Sequence, residues 1–368
     1  MQTFEHEAFE EEAMERLVDA LRALPHVDAR QTAAHLATTG PDRGIDAEVE
    51  FSAGDKNYRL IVQVKKSVFP RDAQQLLWQI SRYRNVAGQG SSERHIVPLL
   101  VAESISPGAK DLLKEENCGF YELGGSLFLP ARGAYIYIEK PPSKTVQKTV
   151  GSLFKGKRSQ VLHALLIRHL DWFSVKDLAK LARVSPATAS ETLVELERFE
   201  WVGVKGQGPS KERRLDEPAA LLNEWQKQVL AAPRRPADRR FYVPSSDNDA
   251  IARHLAEISE MLVIDYAITE QSAAQFYAPF LTTVSRLTCR LASGHGLDEL
   301  YAELDARPVN EGANLIVIET SSRGEFLFRE QVDGLWLASP IQVYLDLLRS
   351  GGRGKEMAEH LRQERIGF

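Results

Sequence analysis

The sequence predicts a multidomain chain of α/β and α segments: an α/β domain over 1–140, a mostly helical domain with one hairpin over 153–226, and a second α/β domain over 241–368. Three observations predict it. At 368 residues the chain exceeds one ordinary core, because domains usually run to about 100–200 residues. Apolar residues recur with strand and helix periods in alternation at both ends, whereas the middle carries the helical period almost throughout. Two proline-containing basic stretches without apolar period, KPPSKTVQKTVGS (140–152) and AAPRRPADRR (231–240), stand where linkers belong.

In the first domain, Phe4, Phe9, Leu17, Leu21 and Leu24 recur at helical spacing among acids and predict an amphipathic helix. IDAEVEF (45–51) and YRLIVQVKKS (58–67) read as strands joined by the turn SAGDKN, hence an antiparallel pair. RDAQQLLWQISRYRNVA (71–87) has helical period, HIVPLLVA (95–102) suits a central strand, and PGAKDLLKEEN (107–117) reads as a helix. Short strands around glycine turns close the region. In the last domain, the expected elements are a helix over 246–259, an apolar run MLVIDYAIT (261–269), helices near 271–286, a strand at NLIVIET (314–320) and a helical tail from Ser339.

Composition narrows the function. With 43% hydrophobic and 26% charged residues, usage is that of an ordinary globular protein. The two cysteines, Cys118 and Cys289, lie far apart without metal-ligand spacing, so a disulfide framework and a structural zinc site are both disfavoured. The opening MQTFEHEAFEEEAMERL is acidic where a secretory signal is basic then apolar, and the expected compartment is the cytoplasm. Charge is unevenly spread. The net charge is −5, yet residues 141–214 carry 14 Lys/Arg against 7 Asp/Glu, a local excess that suits a polyanion.

That basic segment holds the strongest motif. In SVKDLAKLARVSPATASETLVELERFEWV (174–202), Ser174 is placed to cap a short helix, ARVS makes a tight turn, and Ser185 followed by Pro186 opens a second helix. Ala189, Leu193, Leu196 and Phe199 follow the buried period of that helix, which turns Ser185, Thr188, Ser190 and Thr192 toward its outer face, beside Glu191. Short hydroxyl side chains at a helix start can meet base edges and phosphates at close range. RSQVLHALLIRHL (158–170) supplies a third helix. WVGVKGQGPSKERRLD (201–216) then reads as strand, glycine tip and returning strand, with Lys205, Lys211, Arg213 and Arg214 expected to lie over a phosphate backbone. The pattern is that of a winged helix-turn-helix, and it predicts double-stranded DNA as the partner, with no cofactor required for that binding.

The hairpin over 45–67 carries a second constellation. Asp46 stands on one strand, and Gln63 and Lys65 share a face of the next. This segment resembles the PD-(D/E)xK nuclease superfamily, in its QxK form, with Gln79 and Tyr83 matching a QxxxY element on the following helix. The resemblance implies Asp46 and Gln63 as ligands of Mg²⁺ and Lys65 as the group that orients the attacking water. Glutamine in place of the second acid removes one negative charge from such a site. Glu11 or Glu15 on the first helix is a candidate replacement. The reading therefore leans toward a nuclease-derived module that contacts DNA or a partner, with a Mg²⁺-dependent endonuclease as the alternative.

YAITEQSAAQFYAPF (266–280) and SPIQVYLDLLRSGGRGKEMAEHLRQ (339–363), taken with the helix-turn-helix upstream, resemble AbiEi-type regulators, the antitoxin and transcriptional-repressor component of type IV toxin–antitoxin systems. The resemblance covers roughly 155–368, most specifically Pro340, Asp346, Gly354 and Glu356. It implies binding to operator repeats, autorepression, and opposition to a nucleotidyltransferase-like toxin encoded alongside.

Overall fold

The computed structural model describes residues 2–36, 45–87, 95–131, 133–141, 150–232, 238–245 and 247–368. Most of the expected linker at 140–152 and the centre of 231–240 lie outside the described residues. The chain divides into two compact units: residues 1–150 with 195–200, and residues 151–194 with 201–368. Apart from 195–200, the second and third expected segments thus share one unit.

The first unit is built on a seven-stranded sheet whose strands follow chain order: β1 (Val27–Leu36), β2 (Ile45–Ala53), β3 (Lys56–Val68), β4 (His95–Ile105), β5 (Gly119–Glu122), β6 (Leu127–Ala131) and β7 (Ala134–Ile138). Pairing is antiparallel from β1 to β3, parallel from β3 through β5, and antiparallel again to β7. The β2–β3 hairpin closes around Gly54, whose φ of +58° is open to glycine at little cost. Helix α1 (Gln2–Arg22) buries Ala13, Met14, Leu17 and Leu21 against Val49, Leu60, Val62 and Val64 on one sheet face. On the other face, Leu100, Ala102 and Phe120 pack with Ala73 and Leu76 of α2 (Pro70–Ala87) and Ala109 and Leu113 of α3 (Pro107–Glu115). Because side chains alternate along a strand, Ile61, Gln63 and Lys65 belong to this second face.

The second unit begins with α4 (Gly156–Ile167), α5 (Val175–Leu181) and α6 (Pro186–Arg198), then a two-stranded antiparallel hairpin of β8 (Val202–Lys205) and β9 (Glu212–Leu215). Val161, Leu165, Leu178, Ala189, Leu193 and Leu196 are buried, as their spacing predicts. Phe173 exchanges two backbone hydrogen bonds with Arg213, at 2.8 and 2.9 Å, and so extends the hairpin by one bridge. Helix α7 (Pro218–Ala231) follows.

The rest of this unit surrounds a second seven-stranded sheet, ordered β13-β10-β14-β12-β11-β16-β15, from β10 (Arg239–Tyr242), β11 (Tyr266–Ile268), β12 (Leu287–Ala292), β13 (Arg307–Pro308), β14 (Leu315–Thr320), β15 (Glu330–Val332) and β16 (Leu335–Leu337). Its helices are α8 (Asn248–Met261), α9 (Glu270–Tyr277), α10 (Leu297–Glu303), α11 (Pro340–Leu347) and α12 (Gly354–Leu361). One expectation is corrected here, the helices near 271–286. Helix α9 ends at Tyr277, before Pro279, because a residue preceding proline is driven out of the helical region. The run LTCRLA, to which the sequence reading assigns no element, forms the central strand β12, parallel to β14.

Candidate nucleic-acid interface

Helix α6 starts as the sequence predicts. Ser185 Oγ accepts the Thr188 amide at 3.1 Å, and the two hydroxyls lie 2.9 Å apart, so one orphan donor of the first turn is satisfied and the Thr188 side chain is fixed. Ser174 does the same for α5 by accepting the Asp177 amide at 3.2 Å. The turn between them is closed by Val184 N–H to the Ala179 carbonyl at 3.0 Å, with Arg183 at a φ of +52°.

The exposed face of α6 runs through Ala187, Glu191 and Val194, with Ser190 and Thr188 half-buried at its margin. Glu191 is held by Arg158 at 3.3 Å, which lowers the repulsion an acid there would offer to phosphate. Thr192 does not belong to this face. It is fully buried and donates its hydroxyl to the Thr188 carbonyl one turn back, at 2.7 Å.

The hairpin differs from expectation in detail. Lys205 and Arg214 sit on opposite strands and both lie over the Trp172 ring, at 4.5 and 4.9 Å from its centroid. Each also holds an acid: Lys205 bonds Glu212 at 2.9 Å and Arg214 bonds Asp216 at 2.8 Å. Arg213 is buried, on the same strand face as Leu215, with its guanidinium against the Lys211 carbonyl. It is removed from the expected phosphate contacts, and Lys211 is half-buried.

Other cations of this segment are exposed instead. Lys176 and Lys180, one turn apart on α5, and Arg183 in the turn are exposed and form no ion pair among the described residues. Sequence reading passed over them although the i, i+4 spacing opposite buried Leu178 and Ala179 was visible.

In the first unit, the Asp46 carboxylate accepts the Val64 amide at 2.7 Å, which fixes it at the end of β2 beside β3. It stands one step beyond the paired residues Ala47 and Val62, on the face that carries Gln63. Gln63 is 5% exposed and donates its amide to the Gln79 side chain at 3.2 Å, while its Oε1 is buried without a hydrogen-bond partner. Lys65 is exposed on the same face. Asp46, Gln63 and Gln79 are therefore brought together. Tyr83 lies on α2, but its side chain falls outside the described residues. Glu48 and Glu50, further acids of β2 on this face, are bonded by Arg59 and Arg30, with contacts of 2.8 and 3.0 Å. Glu11 and Glu15 are exposed on α1, which covers the opposite sheet face, so the candidate replacement for the missing charge is corrected. Among the described residues no group of three His, Cys, Asp or Glu is placed to hold a metal ion.

No helix is long and apolar enough to cross a membrane. No family model, no curated protein and no solved structure matches the chain.

Proposed function

We propose that this chain is a sequence-specific DNA-binding regulator that meets duplex DNA through a winged helix-turn-helix formed by α4, α5, α6 and the β8–β9 hairpin. The observation that carries the reading is the conjunction of a serine-capped, exposed helix start with the Lys176, Lys180 and Arg183 cations on the preceding helix and turn. A helix start offers backbone amides to a phosphate, and flanking cations add salt-dependent affinity while the outer side chains read bases. The resemblance of 155–368 to AbiEi-type regulators extends the proposal to autorepression of an operon that also encodes a nucleotidyltransferase-like toxin.

The test is duplex binding across a salt series. A steep linear fall of log affinity with log salt, reduced in Lys180→Ala and Arg183→Ala, supports the reading. Flat salt dependence, or variants that bind as the parent does, removes it.

A Mg²⁺-dependent endonuclease is the second reading, and the orphaned Gln63 Oε1 is what favours it. A hard cation takes neutral amide oxygens as well as carboxylates, so Asp46 and Gln63 would hold it, and the metal would supply Lewis acidity and an activated water. The residues fit the group weakly: among the described residues of β2, Asp46 is the one carboxylate on that face outside an ion pair. Plasmid nicking with Mg²⁺ or Mn²⁺ that is lost in both Asp46→Ala and Lys65→Ala would move the choice to this reading.

A further inference from the structure

The second unit contains a cavity of about 1110 Å³ that lies away from the helix-turn-helix face. Arg240 on β10 and Ile316 on β14, which pair with each other, line it, and Ile316 pairs in turn with Thr288 on β12. Arg286, two residues before Thr288, joins the same lining, and Lys355 of α12 faces in from the helical side.

Its charges are unbalanced. Arg240, Arg286 and Lys355 form no ion pair among the described residues. The acids of the lining are otherwise engaged. Asp346 is buried and saturated: Arg290 donates to both its oxygens, at 2.9 and 2.5 Å, Thr269 donates at 2.6 Å, and Gln342 at 3.0 Å. Glu270 is buried at a φ of +51°, a backbone conformation that costs energy in a residue with a side chain, and receives the Thr288 hydroxyl at 3.3 Å. Burial first, then the nearby Asp346 charge, pushes its carboxyl up to about 7 against the opposing attraction of Arg286, so near neutrality much of it carries no charge and leaves Arg286 only partly offset. Only Asp238 remains as an acid of the wall outside that network.

We infer that this cavity binds a small organic phosphate, with Arg240 and Arg286 holding the phosphate and the aliphatic walls holding its organic body. Guanidinium groups match the paired oxygens of an oxyanion. Leu348, Val309, Val229 and Leu230 provide the apolar wall, and the volume is that of a site for an organic molecule rather than a bare ion. The inference concerns a site separate from the DNA-reading face and does not rest on DNA binding.

Calorimetric titration of the full chain without DNA, with AMP, ribose 5-phosphate, inorganic phosphate and citrate as probes, tests it. The expected result is binding of at least one organic phosphate, more weakly by inorganic phosphate and citrate, and a loss of tenfold or more in Arg240→Gln and in Arg286→Gln. Arg240 is exposed, so its variant keeps the fold, and an unchanged melting temperature confirms that the loss is local. No heat from any probe, citrate binding as tightly as the phosphates, or variants that bind as the parent does each overturn the inference. Duplex binding by the same variants is read separately, so loss of one property does not count against the other.

Discussion

His163 Nε2 lies 2.6 Å from Ser339 Oγ, a buried hydrogen bond that joins α4 to the serine capping α11. The Ser339 hydroxyl also accepts the Gln342 amide at 3.2 Å, so one oxygen serves the cap and the imidazole together. Trp225 and Phe328 enclose the ring. Burial pushes the imidazole down to about 4 from its ordinary 6.5, because nothing in that pocket repays the cost of a desolvated cation.

The pH dependence of stability follows. The folded state holds His163 neutral and the unfolded state protonates it near 6.5, so its contribution is fully present above that pH and is lost as pH falls from about 6.5 toward 4. The full loss is on the order of 3 kcal/mol, since one pH unit of displacement corresponds to about 1.4 kcal/mol. Chemical denaturation at pH 7.5, 6 and 5 should show a steeper decline for the parent than for His163→Gln. Parallel slopes would mean that the imidazole titrates as freely in the fold as outside it.

The cap of α6 separates a stability effect from a recognition effect. Ser185→Ala should lower the unfolding free energy by about 1 kcal/mol through loss of the Thr188 N–H acceptor, while Ser185→Asp keeps an acceptor and should retain most of the stability. If the helix start meets phosphate, the aspartate variant should nevertheless bind duplex DNA worse, because it sets a carboxylate beside it. Melting curves and binding isotherms of the two variants decide this together. Equal DNA affinity in parent and aspartate variant would place the helix start away from the duplex.

What could be read from the chain, and what could not, follows from the range of the interactions involved. Ser174, Ser185 and the spacing of Ala189, Leu193 and Leu196 are local signals, and the two helices α5 and α6 form where they point. Strand β1, VDARQTAAHL, is rich in alanine and polar residues and acquires its conformation by pairing with β2, so its own residues carried little signal. Strand β12 hides behind Arg290, whose burial depends on Asp346, fifty-six positions onward, and on Glu325. The inward turn of Arg213 was visible in principle, since period 2 groups it with Leu215, but a basic run invites the opposite reading. The pairing of Lys205 with Glu212 was equally local and was passed over for the same reason.

The redistribution of cations gives different outcomes for neighbouring arginines. Arg213 is buried on the core side of β9, so Arg213→Ala should reduce stability by roughly 1–3 kcal/mol and leave the salt dependence of DNA binding unchanged in slope. Arg183 and Lys180 are exposed, so their alanine variants should leave the melting temperature within a degree or two and each reduce the salt slope by about 1. If the exposed face of α6 reads DNA as proposed, Thr188→Ala should alter preference among duplex sequences more than overall affinity, because its hydroxyl lies at the edge of that face. A melting temperature unchanged in Arg213→Ala, with a reduced salt slope, would return that residue to the interface.

The orphaned oxygen of Gln63 offers a way to ask whether the first unit retains the capacity to hold a cation. Gln63→Glu introduces a carboxylate at a position 5% exposed, beside Gln79 and near Asp46, with no cation bonded there among the described residues. Without metal, the added charge is desolvated and close to another acid, so the variant should lose about 1–3 kcal/mol of stability and partly recover it on protonation at lower pH. If Asp46 and position 63 converge as ligands, millimolar Mn²⁺ should restore most of that loss, since a ligand that binds only the folded state stabilises by mass action. The parent, with one charge fewer, should respond less. Thermal melts of both proteins with and without Mn²⁺ measure this, with Asp46→Ala in the Gln63→Glu background as the control. Rescue that survives removal of Asp46 would show that the metal binds elsewhere, and no rescue at all would leave Gln63 as a fold-supporting partner of Gln79 alone.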